Sequence, residues 1–345
     1  MTDRELRGAL VGCGYFARFH LDAWSRVDGA RIVAVVDPDP ARATAFAGPA
    51  RPAVPDLDRL FDRFEVDFID LVTPPQTHHR LTLAAAERGT HVICQKPLAP
   101  TLAEAEALVD AVEGTGVRFM VHENFRWQPW YRTIRELLDD GVVGRPFHAG
   151  FEFRTGDGWT PDAYLARQPY FRDYPRLLFH ETGVHFIDTF RYLFGDVASV
   201  WCRTWRCNPA IAGEDAGVAT LTFAGGAAAT FDGSRYHESD AADPRHTFGT
   251  LRLDTEGGTV RLLADGTVTW TPLGGAVETV AVNRPGIGFA GDCVRAIQQH
   301  FVDSVGDGTP FESEGRDYLR TLAAVEACYR SAEIEEVVRP DTDLP

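Results

Sequence analysis

Lys96 lies where a side chain can be held rigidly for chemistry. It follows a short apolar run that predicts a strand over His91–Cys94, and Pro97 then restricts the backbone. In open parallel sheets, ligands bind at the carboxyl ends of the strands. Lys96 is therefore a candidate cation for a bound ligand. The alternative is a lysine that merely ends a strand in solvent.

A carboxylate and an imidazole are paired further along the chain. Apolar residues at helical spacing predict a helix from Glu181 to Phe194, in which Glu181, His185 and Asp188 share one stripe. A carboxylate one turn away can orient an imidazole and raise its basicity. His185 is therefore a candidate acid or base for a substrate hydroxyl, with Glu181 positioning it; a satisfied structural histidine is the alternative. His180 and His185 diverge by about 140° on a helix, so no metal site is predicted.

A glycine loop near the N-terminus indicates a dinucleotide site. The predicted strand Leu6–Val11 runs into a G-x-G-x-x-A pattern and then into a helix. The first glycine permits a tight turn, the second admits a pyrophosphate, and the alanine lets helix and strand pack closely. The loop residues predicted to contact the cofactor are Gly12, Gly14, Tyr15, Phe16 and Ala17.

The next predicted strand, 31–36, ends at Asp37, twenty residues after Ala17. A carboxylate there is expected to bind the adenosine ribose hydroxyls and to repel a 2′-phosphate, which favours NAD over NADP. Arg42 lies five residues further on and leaves NADP open as the second choice. A turn-starting aspartate before Pro38 is the structural alternative.

Alternating strand and helix patterns position these residues. They continue to Asn124 and predict an α/β fold whose first domain, residues 1–124, is a Rossmann-type doubly wound parallel sheet. Residues 125–345 are predicted to form a second α/β domain, because seven alternating runs between 199 and 282 indicate a large open antiparallel sheet. Two helices are expected to close the chain.

The stretch 155–176 is irregular and rich in aromatic residues and arginine. Aromatic faces cover the C–H surfaces of sugars, and arginines bind hydroxyl groups, so Tyr164 and Arg172 are candidate substrate contacts. A surface loop that packs on its own domain and a subunit contact are the alternatives.

Bulk composition excludes several classes of partner. The formal net charge is −16, which argues against nucleic acid and against an anionic membrane surface. No run of 18 apolar residues and no signal pattern at the start of the chain were found. Six scattered cysteines without a Cys-x-x-Cys pair predict free thiols, and the protein is expected to be cytoplasmic.

Four ordered motifs give the chain a family resemblance. Gly12-x-Gly14-x-x-Ala17, Thr73-Pro74-Pro75-x-x-His78, Lys96-Pro97 and the stretch from Glu181 to Asp188 resemble the glucose–fructose oxidoreductase / inositol dehydrogenase / rhizopine-catabolism (Gfo/Idh/MocA) family. The resemblance implies a Rossmann domain, a second domain with an open antiparallel sheet, and NAD(P)-dependent redox chemistry on a sugar or cyclitol. It also implies a homodimer or homotetramer formed through that sheet.

The resemblance carries roles to individual residues. It places Thr73, Pro74, Pro75, His78, Gln95, Lys96 and Asn124 at the cofactor, and Arg126 near the substrate. A polar domain junction is the alternative for Arg126. The family usually has Glu where this chain has Gln95, and often Asp where it has Glu181. These departures leave the substrate, rather than the reaction type, open.

The sequence therefore predicts an NAD-dependent dehydrogenase for a secondary hydroxyl of a polyhydroxylated substrate, a sugar, cyclitol or glycoside. His185 would exchange the proton, and Lys96 would stabilise charge on the reacting oxygen. One alternative is a dinucleotide-binding regulatory protein without catalysis. Another is an oxidoreductase for a non-sugar substrate such as a dihydrodiol or a tetrapyrrole.

Overall fold

The computed structural model describes residues 4–340, which form two compact units. The first comprises the chain up to Asn124 together with Asp292–Leu319. The second comprises Phe125–Gly291 and the chain from Arg320 onwards. Among the described residues, no helix is both long and apolar enough to cross a membrane.

The first unit is built on a six-stranded parallel sheet in the order β3-β2-β1-β4-β5-β6. This is the doubly wound arrangement that the alternating pattern predicted. Its strands are β1 Leu6–Val11, β2 Ala30–Val36, β3 Ala53–Val54, β4 Phe68–Leu71, β5 His91–Gln95 and β6 Phe119–His122. Its helices are α1 Ala17–Trp24, α2 Pro40–Ala47, α3 Leu57–Arg63, α4 His78–Ala86 and α5 Leu102–Glu113.

Local signals in the sequence explain several of these boundaries. The Asp39 side chain accepts hydrogen bonds from two backbone N–H groups at the start of α2, where Pro40 is the first helical residue. Thr101 accepts from the backbone of Glu104 at 3.3 Å and opens α5, as its capping-box spacing predicted. Helices α1 to α5 thus begin where the sequence supplies a cap or a loop.

The second unit is built on an eight-stranded sheet in the order β14-β13-β12-β11-β7-β10-β9-β8. The neighbouring pairs are antiparallel except β7 and β10, which run parallel, so the sheet is mixed rather than purely antiparallel as predicted. Its strands are β7 Pro146–Arg154, β8 Val197–Trp205, β9 Ala216–Phe223, β10 Ala228–Ser234, β11 Gly249–Thr255, β12 Gly258–Leu262, β13 Val268–Pro272 and β14 Glu278–Val280. The helices α6 Pro129–Asp139 and α7 Val184–Phe194 precede and follow β7.

An aromatic cluster packs α7 against one face of this sheet. The ring of Phe186 lies 4.3 Å from Phe151 and 5.1 Å from Phe231, between centroids, and all three residues are buried. Burial of large aromatic side chains contributes strongly to stability and fixes the rotation of the helix. The helix that carries His185 is therefore held firmly.

Two C-terminal helices complete the chain. Helix α8, Cys293–Asp307, belongs to the first unit, and the division between the units falls within α9, Gly315–Ile334. The sequence had assigned all of 125–345 to the second domain. The return of 292–319 follows from contacts with α1: Arg26 donates to Asp292 at 2.8 Å, and Gln298 donates to the carbonyl of His20 at 3.4 Å.

Candidate functional site

The glycine loop has the shape that a dinucleotide phosphate requires. Gly12 has φ +98°, and a methyl group there would overlap the carbonyl oxygen of Val72. Gly14 is exposed, with no atom within 4 Å of the position where a Cβ would stand. Ala17 is fully buried at the start of α1. The loop thus leaves open backbone before a helix N-terminus, which fits a pyrophosphate; Tyr15 and Phe16 lie within it, half-buried.

Asp37 closes this site at the end of β2. It is buried, and its two carboxylate oxygens accept from the backbone N–H groups of Cys13 and Asp39, each at 2.9 Å. An ionised carboxylate has about four acceptor positions, so Asp37 can still bind ribose hydroxyls. The nearest guanidinium nitrogen of Arg42 lies 3.7 Å from Asp37 Oδ2. Burial, with Asp37 nearby, raises the pKa of the Cys13 thiol to about 12, so that thiol stays protonated.

His78 ties together two loops that carry predicted cofactor residues. Its ring is fully buried, with Nδ1 3.0 Å from the Leu98 carbonyl and Nε2 2.9 Å from the Thr73 carbonyl. Burial lowers the pKa of His78. Because both ring nitrogens face backbone oxygens, His78 holds the Thr73-Pro74-Pro75 loop next to the segment after Lys96.

Behind Lys96 lies a set of buried polar residues. The Lys96 backbone N–H donates to Gln95 Oε1 at 2.7 Å, and the Gln95 amide nitrogen lies 2.9 Å from His20 Nε2. His20 Nδ1 lies 2.8 Å from Asp70 Oδ2, which also accepts from Trp24 Nε1 at 2.6 Å. The sequence reasoning missed His20 and Asp70. Their signal was a lone aspartate in the apolar strand β4, a position where a charge requires partners.

Lys96 itself is half-buried at the end of β5. It is also the only lysine among the 345 residues, since the other 33 of the 34 basic residues are arginines. A strand end at the carboxyl edge of a parallel sheet is the position at which this fold class binds ligands.

Asn124 is engaged within the first unit. Its amide nitrogen donates to Cys293 Sγ at 3.0 Å, and both residues are buried. Burial raises the pKa of the Cys293 thiol to about 12. This contact joins the end of β6 to the start of α8 and fixes the orientation of the Asn124 side chain.

His185 is presented on α7 against an aromatic ring. Its imidazole stacks on Phe125, with ring centroids 3.9 Å apart and planes inclined by 5°, and it is 6% exposed. The turn before it is not α-helical: Leu178–Gly183 forms a π-helix that leads into α7. The predicted regular helix from Glu181 therefore begins only at Val184. π-Helical turns occur frequently at functional sites.

Asp188 has a different partner from the one its spacing indicated. Arg126 donates to both of its carboxylate oxygens, at 2.8 and 2.7 Å, and Thr321 donates to Oδ1 at 3.0 Å. Arg126 and Asp188 are both buried. Two of the three guanidinium nitrogens of Arg126, Nε and Nη2, thus hold a buried ion pair in the second unit.

The residues 155–172 fold around a buried arginine. Arg235 donates to the Tyr164 hydroxyl at 2.9 Å, to Asp157 at 2.9 Å and to Thr182 at 2.6 Å. Its guanidinium also lies 3.8 Å from Glu181 Oε2. Burial raises the pKa of Asp157, but the charges of Arg235 and Arg167 outweigh it, and the net shift is downward.

The two candidate substrate residues of this stretch take part in its internal packing. Tyr164 is 6% exposed and lies in a hydrophobic cluster with Phe171 and Leu177. Arg172 donates to the carbonyls of Pro161 at 2.8 Å and Ala163 at 3.3 Å. Of the alternatives considered, a loop that packs on its own domain is the one these contacts favour.

A buried carboxylate supports the start of the π-helix. Glu214 accepts from the backbone N–H groups of Leu177 and Phe179, at 3.2 and 3.1 Å, and from the Tyr329 hydroxyl at 2.6 Å. Burial raises the pKa of Glu214 despite these donors. Glu214 thereby fixes the segment that carries Glu181.

The cysteines and possible metal ligands complete the inventory. All six cysteines are free thiols, as predicted. Among residues 4–340, no group of three or more His, Cys, Asp or Glu side chains is arranged to hold a metal ion.

Comparisons with known proteins cover both units. Residues 6–123 match a family model described as an oxidoreductase family with an NAD-binding Rossmann fold. Residues 131–260 match the GFO/IDH/MocA C-terminal domain. The two matches follow each other in the order that the four motifs indicated.

Individual relatives match over nearly the whole chain. A D-apiose dehydrogenase of Paraburkholderia graminis is 38% identical over 96% of this chain and 88% of its own length. A D-apiose dehydrogenase of Rhizobium rhizogenes is 36% identical over 96% of both chains. A solved oxidoreductase from Agrobacterium radiobacter, in complex with NAD+, L-tartaric acid and magnesium, is 35% identical, with TM-score 0.88 over 97% of this chain and 98% of that one.

These matches confirm the predicted fold class, the prediction of an enzyme, and NAD as the cofactor of its first domain. With both family models matched in order, the chain belongs to the Gfo/Idh/MocA family of NAD-binding oxidoreductases.

Proposed function

We propose that this protein oxidises a secondary hydroxyl of a sugar, cyclitol or glycoside with NAD, or reduces the corresponding carbonyl in reverse. An aldose such as D-apiose is the first substrate to test. The observation that carries the proposal is the similarity to D-apiose dehydrogenases over 96% of this chain. The presence of Lys96, His185 and the glycine loop supports it.

The cofactor fits the residues present in the first unit. The open backbone at Gly14 and the tight turn at Gly12 would hold the pyrophosphate, and Asp37 would bind the adenosine ribose. The Thr73-Pro74-Pro75 loop, Gln95 and Asn124 are proposed to border the nicotinamide end. Bound NAD supplies the hydride acceptor for the C–H bond of the alcohol.

Two side chains are proposed to act on the reacting hydroxyl. A ring nitrogen of His185 takes the hydroxyl proton as the carbonyl forms, and the stacked Phe125 ring keeps the imidazole plane fixed. The Lys96 ammonium donates a hydrogen bond to the same oxygen and stabilises its developing charge. Glu181 positions the imidazole or a substrate hydroxyl, and Arg126, Tyr164 and Arg172 shape the substrate region through their packing.

An absorbance screen for NADH formation tests the proposal. The panel contains D-apiose, other aldoses, cyclitols and glycosides, each with NAD and with NADP. Turnover of at least one such compound, with NAD preferred, is the expected result. NAD binding without turnover of any of them would instead support the regulatory alternative.

Variants test the assigned roles on the substrate found in this screen. K96A is expected to lower kcat by about 100- to 1,000-fold, because it removes an electrostatic stabiliser. H185A is expected to lower kcat by about 100- to 10,000-fold, because it removes the proton acceptor. The matched controls R59A and H148Q change exposed residues of the first and second units and should leave kcat within about twofold. Full activity in K96A or H185A would show that the role is wrong.

A further inference from the structure

A hydrogen-bond chain inside the first unit ends at the backbone of Lys96. It passes from Asp70 on β4 to His20 on α1, then to Gln95 on β5, and from Gln95 to the Lys96 N–H. Asp70, His20 and Gln95 are 0%, 0% and 7% exposed. Hydrogen bonds in so dry an environment are stronger than those in water and polarise one another.

The direction of each hydrogen bond follows from the Lys96 end. A backbone N–H can only donate, so the atom of Gln95 that faces it is the carbonyl oxygen. The Gln95 NH₂ group then faces His20 Nε2, which must accept. His20 Nδ1 therefore carries the ring proton and donates it to Asp70. One tautomer of His20 and one orientation of the Gln95 amide satisfy every contact.

Asp70 is the terminal acceptor of this chain. Its Oδ2 accepts from both His20 and Trp24, at 2.8 and 2.6 Å. Its Oδ1 has no hydrogen-bond partner among the described residues. A fully buried carboxylate depends strongly on the few donors it has, so the His20 ring is held tightly in the donating tautomer.

We propose that His20 and Asp70 are positioning residues for Lys96, acting through Gln95 to fix the backbone from which the lysine side chain extends. This inference rests on the proposed function of Lys96. It assigns a purpose to a buried charge in the central strand β4, where a hydrophobic residue would otherwise pack. It also explains why an amide at position 95 is compatible with His20.

An amide and a carboxylate at position 95 place different demands on His20. Gln95 offers a donor to Nε2 and an acceptor to Lys96, whereas a carboxylate offers two acceptors. In Q95E, the contact with His20 is satisfied only if Nε2 gains a proton and His20 becomes a cation. The other titratable groups that face this part of the site are Asp70, His122, whose ring lies 4.1 Å from that of His20, and Cys94 near Asp70.

The single lysine permits a direct measurement. Protein labelled with ¹⁵N-lysine gives one backbone amide signal, that of Lys96, whose proton is the one donated to Gln95. In H20L, the signal should move upfield and exchange with solvent faster, because the chain is cut. In H20Q, which retains a side-chain acceptor for Gln95, both properties should return towards those of the wild type. The control H300Q changes a histidine elsewhere in the same unit and should leave them unchanged.

A second measurement keeps the proposal testable if H20L does not fold. ¹⁵N-histidine spectra of Q95E should contain a doubly protonated imidazole that is absent from the wild type and from Q95E/H20Q. An unchanged histidine spectrum in Q95E would overturn the chain. So would a folded H20L protein whose Lys96 amide signal matches the wild type.

The activity measurement connects the chain to catalysis. H20L is expected to lower kcat by up to about 100-fold through misplacement of Lys96. The Kd for NAD should change little, and H20Q should recover most of the loss. If the spectra behave as expected but kcat is unaffected, the chain does not position Lys96 for catalysis. If the wild type turns over no polyol, the spectra still test the chain and only the proposed function fails.

Discussion

Replacing Asp188 with alanine should destabilise the second unit strongly, because the buried guanidinium of Arg126 would lose this counterion. The two residues are joined by two hydrogen bonds of 2.8 and 2.7 Å, and their side chains are 6% and 0% exposed. Breaking one partner of a buried ion pair costs about 3–5 kcal/mol. Thr321 also loses an acceptor, which adds about 1 kcal/mol. We expect D188A to lower the free energy of unfolding by about 4–6 kcal/mol.

Urea denaturation, followed by tryptophan fluorescence, measures the change against two comparisons. The double variant R126M/D188L replaces both charges with apolar side chains and should lie within about 2 kcal/mol of the wild type. The single variant D139A breaks an exposed pair, in which Arg135 and Asp139 are 35% and 55% exposed, and should cost less than about 1 kcal/mol.

The same variants separate two roles of Arg126. A D188A protein as stable as D139A would refute the argument from the buried charge. If R126M/D188L is as stable as the wild type and fully active, Arg126 serves the structure alone. If it is stable and inactive, Arg126 also takes part in substrate binding, as the sequence predicted.

Three further predictions concern the cofactor loop and the support of the π-helix. G12A should cost roughly 2–4 kcal/mol and weaken NAD binding, measured by thermal denaturation with and without NAD, because φ is +98° and the methyl group meets the Val72 carbonyl. D37S should raise the ratio of kcat/KM for NADP to that for NAD by about tenfold or more, since a repelling carboxylate is removed and Arg42 is released. Burial raises the folded-state pKa of Glu214 above its unfolded value of about 4.3, so its contribution to stability is present below that pH and is lost as pH rises through the folded pKa. Urea denaturation of E214Q from pH 4 to 8 should therefore show its stability relative to the wild type shifting in favour of the variant; a constant difference would contradict this.

Local patterns in the sequence predicted the parts of the site that depend on local backbone. The turn at Gly12, the buried carboxylate of Asp37 and the strand end at Lys96 each follow from a few adjacent residues. The parallel sheet follows from alternating strands and helices, because only that order places crossovers on both faces.

Contacts between distant segments could not be predicted in the same way. Asp188 pairs with a residue 62 positions earlier, and His20 with one 50 positions later. Periodicity shows which face of a helix a residue occupies, but not which charged group from another element reaches it. The π-helix escaped for a related reason: one extra residue in a turn changes the apolar spacing too little to be recognised.

The single lysine has a consequence for the chemical vulnerability of this protein. Aldoses, acylating metabolites and isocyanates modify amines, and this chain presents only one side-chain amine to them. Every other basic side chain is a guanidinium or an imidazole, which reacts with such reagents far less readily. Under the proposed role of Lys96, side-chain amine modification and inactivation would therefore be a single event, with one group modified for each active site lost. Substrate that protects Lys96 would protect the whole side-chain amine content of the enzyme at once.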